Sequence, residues 1–228
     1  MNSAILTSPS QNTGAAERRC SHADQTRLKC VLMWVAVLLF GASIACTQEQ
    51  VLNYVVNRQG KKVGDLHFKQ VREGEKTVYS IESLVKVSIL FSFTIQAWEQ
   101  SVYEHNALQS SSLVRKVNGK ERDNKQITNK GNSLSIVSKG GAQQVMNCTV
   151  NYSTHCLYTT EPLQYSRVFS DNYQQFLTIH KQGDHHYQIT FPDGNSNDYY
   201  YENGICRRMT VSSMLFDAEF ILLKAAGL

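Results

Sequence analysis

The sequence predicts an all-β domain: an antiparallel meander curled into a barrel or open half-barrel, preceded by an N-terminal signal-peptide helix. A single short helix or loop is expected to cover an open end of the sheet. Three observations carry this. Apolar residues at 79–97 fall on odd positions, the period of a strand with one buried face. Glycine- and asparagine-centred turn signals recur at short intervals from residue 59 to residue 204. An apolar run at 31–45 follows Arg18, Arg19, Arg27 and Lys29, the layout of an export signal.

Composition narrows the class before any motif does. The 228 residues are 42% apolar and 18% charged, as in a foldable globular chain rather than a disordered one. A net charge of +4 is too small a surplus for the basic stripe of a nucleic-acid binder. Three prolines exclude collagen-like and proline-rich repeats.

Taken from the N-terminus, residues 31–45 read VLMWVAVLLFGASIA. As a helix they would extend about 23 Å, short of the roughly 30 Å of a hydrocarbon core. Small residues then lead into Cys46. The thirty polar residues ahead of the run are long for a signal n-region, which suggests a start codon placed too far upstream. Ser43-Ile44-Ala45-Cys46 resembles a bacterial lipobox, with Ser43 where an aliphatic residue is usual. Three outcomes fit: a lipid anchor at Cys46, simple cleavage and secretion, or an uncleaved anchor. Removing residues 1–45, with their four basic and two acidic side chains, leaves 46–228 as a single all-β domain with two surplus positive charges.

The body then reads as strands. Leu52, Tyr54 and Val56 share a face, as do Leu66 and Phe68, with a hairpin turn at Gln59-Gly60-Lys61-Lys62 between them. The alternation of 79–97 would make a strand of about 60 Å, so it should bend or break near Ser88–Ser92. Further turns are expected at Glu73-Gly74-Glu75, Asn118-Gly119, Lys130-Gly131-Asn132, Lys139-Gly140-Gly141, Gln182-Gly183-Asp184, Asp193-Gly194-Asn195 and Asn203-Gly204. Tyr187, Ile189 and Phe191 alternate again, as do Met214, Phe216, Ala218, Phe220 and Leu222. Thr160–Gln175 breaks the rhythm and is read as the covering helix or loop.

The stretches VxNRxGKxVGxL (Val55 to Leu66), VNGK (Val117 to Lys120), LYTTEP (Leu157 to Pro162), VFSDNY (Val168 to Tyr173), FPDGNSNDYYYENGIC (Phe191 to Cys206) and the C-terminal LFDAEFIL together resemble an uncharacterised family of bacterial envelope proteins, known only as a domain of unknown function. The resemblance spans roughly residues 50–224. It implies an all-β secreted protein and brings no activity or catalytic residue. The meander is also similar in topology to the open half-barrels of periplasmic lipoprotein carriers, an analogy of fold and not of function.

Candidate chemistry is sparse. Export would place Cys46, Cys148, Cys156 and Cys206 in an oxidising compartment. Cys148 and Cys156 are close enough to bridge a strand corner, while Cys206 could pair with either or all could stay unpaired. Without a CxxC, zinc-ribbon and thioredoxin-like readings fail. His180, His185 and His186 surround Asp184, but adjacent strand residues point to opposite faces, so no metal site is assigned. Asp193–Asp198 begins like a calcium loop and departs from it at positions six and twelve, where Asp198 and Gly204 stand, so a hairpin turn is expected. Tyr199, Tyr200 and Tyr201 read as strand residues facing core and water alternately. No GxSxG motif, nucleophilic cysteine signature or phosphate-cradling loop is present, and spacing singles out no pair among Glu82, Glu99, Glu104 and Glu161.

No catalytic residue and no cofactor is therefore assigned. The expectation is an exported envelope protein that binds a lipid or other hydrophobic molecule without catalysis. Its apolar interior would be lined by Ile89, Phe91, Phe93, Ile95, Phe216 and Phe220. The alternative is an assembly partner of another envelope protein with no small ligand.

Overall fold

A computed structural model describes residues 47–88, 92–213 and 217–227. The expected signal segment 1–45, the anchor cysteine Cys46 and the interior candidates Ile89, Phe91 and Phe216 lie outside the described residues.

Strands β1 (Thr47–Arg58), β2 (Lys61–Glu73), β3 (Lys76–Ser88), β4 (Ser92–Glu104), β5 (Ala107–Val117), β6 (Lys120–Asn129), β7 (Leu134–Ser138) and β8 (Gln143–Met146) each pair antiparallel with the next. Residues 147–166 then leave the sheet. The second series is β9 (Arg167–Ser170), β10 (Gln175–Gly183), β11 (His186–Thr190), β12 (Ser196–Glu202), β13 (Ile205–Ser212) and β14 (Ala218–Ala226). Strand β14 returns to pair with β1. The sheet of fourteen strands therefore runs β8-β7-β6-β5-β4-β3-β2-β1-β14-β13-β12-β11-β10-β9, and it is not closed. Its two edges, β8 and β9, are consecutive in the chain.

The expected turns fall where the hairpins reverse. Gln59 and Gly60, Asn118 and Gly119, and Asn203 and Gly204 all take positive φ, which matches the twist of the flanking strands. The long alternating run breaks as expected: β3 ends at Ser88, β4 begins at Ser92, and the two hydroxyls lie 2.7 Å apart. Not every reversal carried a glycine signal: β9 joins β10 through residues 171–174 without one. His105 and Asn106 join β4 to β5 with φ of 49° and 60°.

The sheet has one buried face. Leu52, Tyr54, Val56, Leu66, Phe68, Tyr79, Ile81, Val85 and Val87 are all buried, in the phase the sequence predicts. Tyr199 and Tyr201 are buried between the half-exposed Tyr200 and its neighbours, again by alternation.

The interruption differs from expectation in place and in role. Thr160–Gln175 is not one covering loop, because Arg167–Ser170 within it is strand β9, paired with β10. Val168, Phe169 and Ser170 are consecutive and all buried, so no period of two marks them. The irregular segment is 147–166, with one 3-10 turn at Cys156–Tyr158. Its Val150, Tyr152, Cys156 and Leu157 belong to the main core cluster. Those side chains pack into the core on the sheet's buried face.

Buried backbone must find partners, and this segment finds them on both sides. Val150 O accepts from Leu108 N of β5 at 2.8 Å, and Tyr152 O accepts from Phe169 N of β9 at 3.0 Å. Tyr201 donates its hydroxyl to Leu157 O at 2.8 Å. Tyr158 stacks on Phe68 at 4.8 Å, which seats the 3-10 turn against β2. Beyond the segment, Lys125 of β6 donates to Asn172 Oδ1 at 2.9 Å and Gln174 Nε2 donates to Ser138 Oγ at 2.9 Å. These side chains tie the β9–β10 turn to β6 and β7, across the gap that no strand pairing closes.

A candidate ligand cavity and a buried histidine

The curled sheet is not filled completely. A pocket of about 430 Å³, open to solvent on one side, is walled by Ile81, Ile95, Tyr158, Phe191, Met209 and Val211 among apolar groups. Its polar wall includes Glu99, Arg115, Asp193 and Asn197. A smaller space of about 190 Å³ shares Ile95, Glu99, Arg115 and Val211 with it and extends to Val56 and Phe220. Volumes of this order hold small-molecule ligands.

Three of the apolar residues expected to line an interior are described. Phe93, Ile95 and Phe220 are half-buried and pack on the cluster of Val56, Val85, Val87 and Ala218. Ile95 faces both spaces and Phe220 the smaller one, while Phe93 lines neither. They come together because β3, β4, β1 and β14 turn these positions to the same face.

Behind the cavity sits a histidine that the sequence did not single out. His155, on the inserted segment, is 1% exposed. Its Nδ1 lies 3.2 Å from Asp171 Oδ2, in the β9–β10 turn, and its Nε2 lies 3.5 Å from Glu99 Oε2 on β4. These distances are those of ion pairs rather than of aligned hydrogen bonds. Complete burial opposes a charge on the imidazole, but the two carboxylates outweigh it and raise the pKa above the usual histidine value. Asp171, His155 and Glu99 thus form a row from the core to the cavity wall. Residue adjacency on three separate elements leaves no spacing signal, which is why sequence reading missed it. Glu99 was visible only as one of four unpaired glutamates.

Of those glutamates, Glu161 is also engaged. Its carboxylate accepts from Tyr187 at 2.8 Å and meets His185 Nδ1 at 3.0 Å, joining the inserted segment to β11 and the turn before it. His186 turns the other way, to Asp198 at 2.7 Å, and stacks on Tyr200. The two neighbouring histidines serve separate carboxylates, because His186 begins β11 while His185 sits in the turn before it with φ of 56°. Among the described residues no group of three or more metal-ligating side chains converges.

The expected Cys148–Cys156 bridge is not formed: Cys148, Cys156 and Cys206 are free thiols. Cys156 is directed into the core, where burial raises its pKa against hydrogen bonds from Ser153, Tyr103 and Tyr79. Cys148 is only half-buried, before the segment enters the core. Burial pushes the Cys206 thiol up to about 12, and it contacts Arg208 O at 3.3 Å. The Asp193–Asn195 turn is a hairpin connection, as expected. Asp193 Oδ1 accepts from Asn195 N at 3.1 Å and its other oxygen accepts from Tyr173, which lowers its pKa.

A family model described as a domain of unknown function (DUF6134) matches residues 54–223. No curated protein sequence matches the chain. Among solved structures, the beta-barrel-like protein of domain of unknown function DUF1849 from Brucella abortus is similar, at 12% identity and a TM-score of 0.49. That alignment covers 78% of this chain and 97% of the other.

Proposed function

The chain belongs to the DUF6134 family, a domain of unknown function, and we propose that it is a non-enzymatic binding module that holds a hydrophobic molecule inside its curled sheet. The observation that carries this reading is the cavity of about 430 Å³, walled on one side by Ile81, Ile95, Met209 and Val211. A closed small barrel packs its interior with side chains; here an inserted segment packs into the core and space remains beside it.

The titratable groups support binding over catalysis. His155 is 1% exposed and does not line the cavity, so its ring is out of reach of a molecule held there. Cys156 is buried with a raised pKa, the opposite of an activated thiolate. We further propose that residues 1–45 export the chain to the bacterial envelope, with Cys46 as the candidate lipid attachment.

Native mass spectrometry of full-length protein, expressed in a bacterium with its own leader, tests both parts. The expected result is a chain beginning at Cys46, carrying acyl groups and retaining a non-covalent apolar molecule. Ile95→Trp, which narrows the cavity, should weaken its hold on that molecule. A ligand-free protein that also fails to bind a hydrophobic fluorescent probe would overturn the binding reading, and an uncleaved soluble chain would overturn export.

A further inference from the structure

The inserted segment and the strands around it border a second pocket, which shares no lining residue with the two spaces beside Ile95. It holds about 410 Å³ and is rimmed by Gly74 and Glu75 of the β2–β3 turn and Asn106 of the β4–β5 turn. The same elements serve both sites with different residues. Tyr79 of β3, Tyr103 of β4 and Cys156 of the segment line this pocket, whereas Ile81, Glu99 and Tyr158 line the other.

The floor consists of hydroxyls carried on rings. Tyr79, Tyr103 and Tyr152 are buried, and burial raises their pKa above the usual tyrosine value, so all three stay protonated at neutral pH. Tyr152 donates to Thr160 O at 2.6 Å, and its oxygen can still accept. Tyr103 is 4% exposed, and its hydroxyl makes no well-formed hydrogen bond, although Ser153 and the Cys156 thiol lie near enough to act on its ionisation. A buried hydroxyl in that state is costly, and a ligand oxygen that pairs with it recovers the cost. Tyr165, half-exposed on the wall, stacks on Tyr152 with ring centroids 4.0 Å apart, which fixes a flat aromatic surface beside these hydroxyls. An apolar chain is disfavoured here, because it would displace water from the hydroxyls and return no hydrogen bond.

Charge does not select either. The charged side chains on the wall are Arg72 and Glu75, one of each sign and both exposed at the rim. Asp171 acts on the Tyr103 hydroxyl from outside the pocket, and its charge is met by His155 at 3.2 Å.

We propose that this pocket binds a neutral polyhydroxylated molecule of sugar size, with one hydroxyl paired to Tyr103 and a C–H face against Tyr165. Tyrosine joins a flat apolar ring to a polar tip, and a sugar ring presents the matching pair, C–H faces and hydroxyl edges. The site stands apart from the hydrophobic-ligand reading, which concerns the other pocket.

The test is saturation-transfer NMR of the full chain with glucose, N-acetylglucosamine, trehalose and maltose as neutral probes, and glucuronate and glucosamine as charged ones. At least one neutral sugar should bind saturably. Tyr103→Phe, which removes a single oxygen and keeps the ring, should weaken it about tenfold, the size of one such hydrogen bond left unmade. Tyr165→Ala should weaken it severalfold through the lost aromatic surface, and this variant carries the test should Tyr103→Phe fail to fold. Ile95→Trp should leave sugar binding unchanged, and Tyr103→Phe should leave the binding of a hydrophobic fluorescent probe unchanged. Failure of all four neutral sugars to bind, tighter binding of glucuronate or glucosamine, or an affinity indifferent to both tyrosine substitutions would overturn this inference and leave the hydrophobic-ligand reading in place. Loss of sugar binding in Ile95→Trp would overturn it too, by putting the sugar in the other pocket.

Discussion

His155 Nδ1 lies 3.2 Å from Asp171 Oδ2, and this contact joins the inserted segment to the turn between β9 and β10. With Glu99 on β4 at the other ring nitrogen, a single side chain ties three regions of the fold that are distant in sequence. The two carboxylates raise the imidazole's pKa against its burial, so its protonation is linked to folding.

The pH dependence has a definite sign. The folded-state pKa of His155 is raised above its ordinary value of 6.5, so the folded chain holds this proton more tightly than the unfolded chain. The contribution is fully present below pH 6.5 and is lost as pH rises through the folded-state pKa. Melting followed from pH 6 upward should show stability falling in that window, and His155→Gln should flatten the slope. An unchanged slope in the variant would remove His155 as the cause.

The inserted segment should behave as core and not as a loop. Leu157 is fully buried, whereas Leu163 in the same segment is 75% exposed. Leu157→Ala is expected to cost about 2–5 kcal/mol, and Leu163→Ala to stay within about 0.5 kcal/mol. Chemical denaturation of the two variants checks the contrast, and comparable losses would contradict it.

Gly64 on β2 is required by its neighbour on β3. A Cβ there would meet Leu84 O at 2.2 Å and Val85 Cα at 2.8 Å, both backbone atoms. The site lies beside the register shift between β1 and β2 at Val56 and Asn57. Gly64→Ala should destabilise by about 1–3 kcal/mol through overpacking, while Gly74→Ala meets nothing within 4 Å but must hold φ of +57°. Its cost should be about 1 kcal/mol. Denaturant midpoints for the pair measure the difference.

Thiol reactivity should follow burial. Cys148 is half-buried while Cys156 and Cys206 are buried, and burial raises the pKa of all three. Alkylation of the native protein at pH 8, read by peptide mass spectrometry, should label Cys148 first and reach Cys156 and Cys206 only on unfolding. Early labelling of Cys206 would contradict its burial on β13.

What the sequence determined by itself was local. Alternation placed Leu52, Leu66, Phe68, Tyr79, Ile81, Val85 and Val87 on the buried face, and glycine and asparagine turns placed most of the reversals. A strand's two faces and a turn's dihedral angles are set by residues a few positions apart, so both are written in short windows. Where that locality failed, the reading failed with it: β9 is buried at consecutive positions, and the His105-Asn106 turn has no glycine. Only the tertiary structure decided that 147–166 packs into the core, because burial of that segment depends on strands before and after it. The same holds for the row of Asp171, His155 and Glu99 and for the cavity it borders. Charges that are not neighbours in sequence acquire their energies from distance and burial, and those exist only once the sheet has curled.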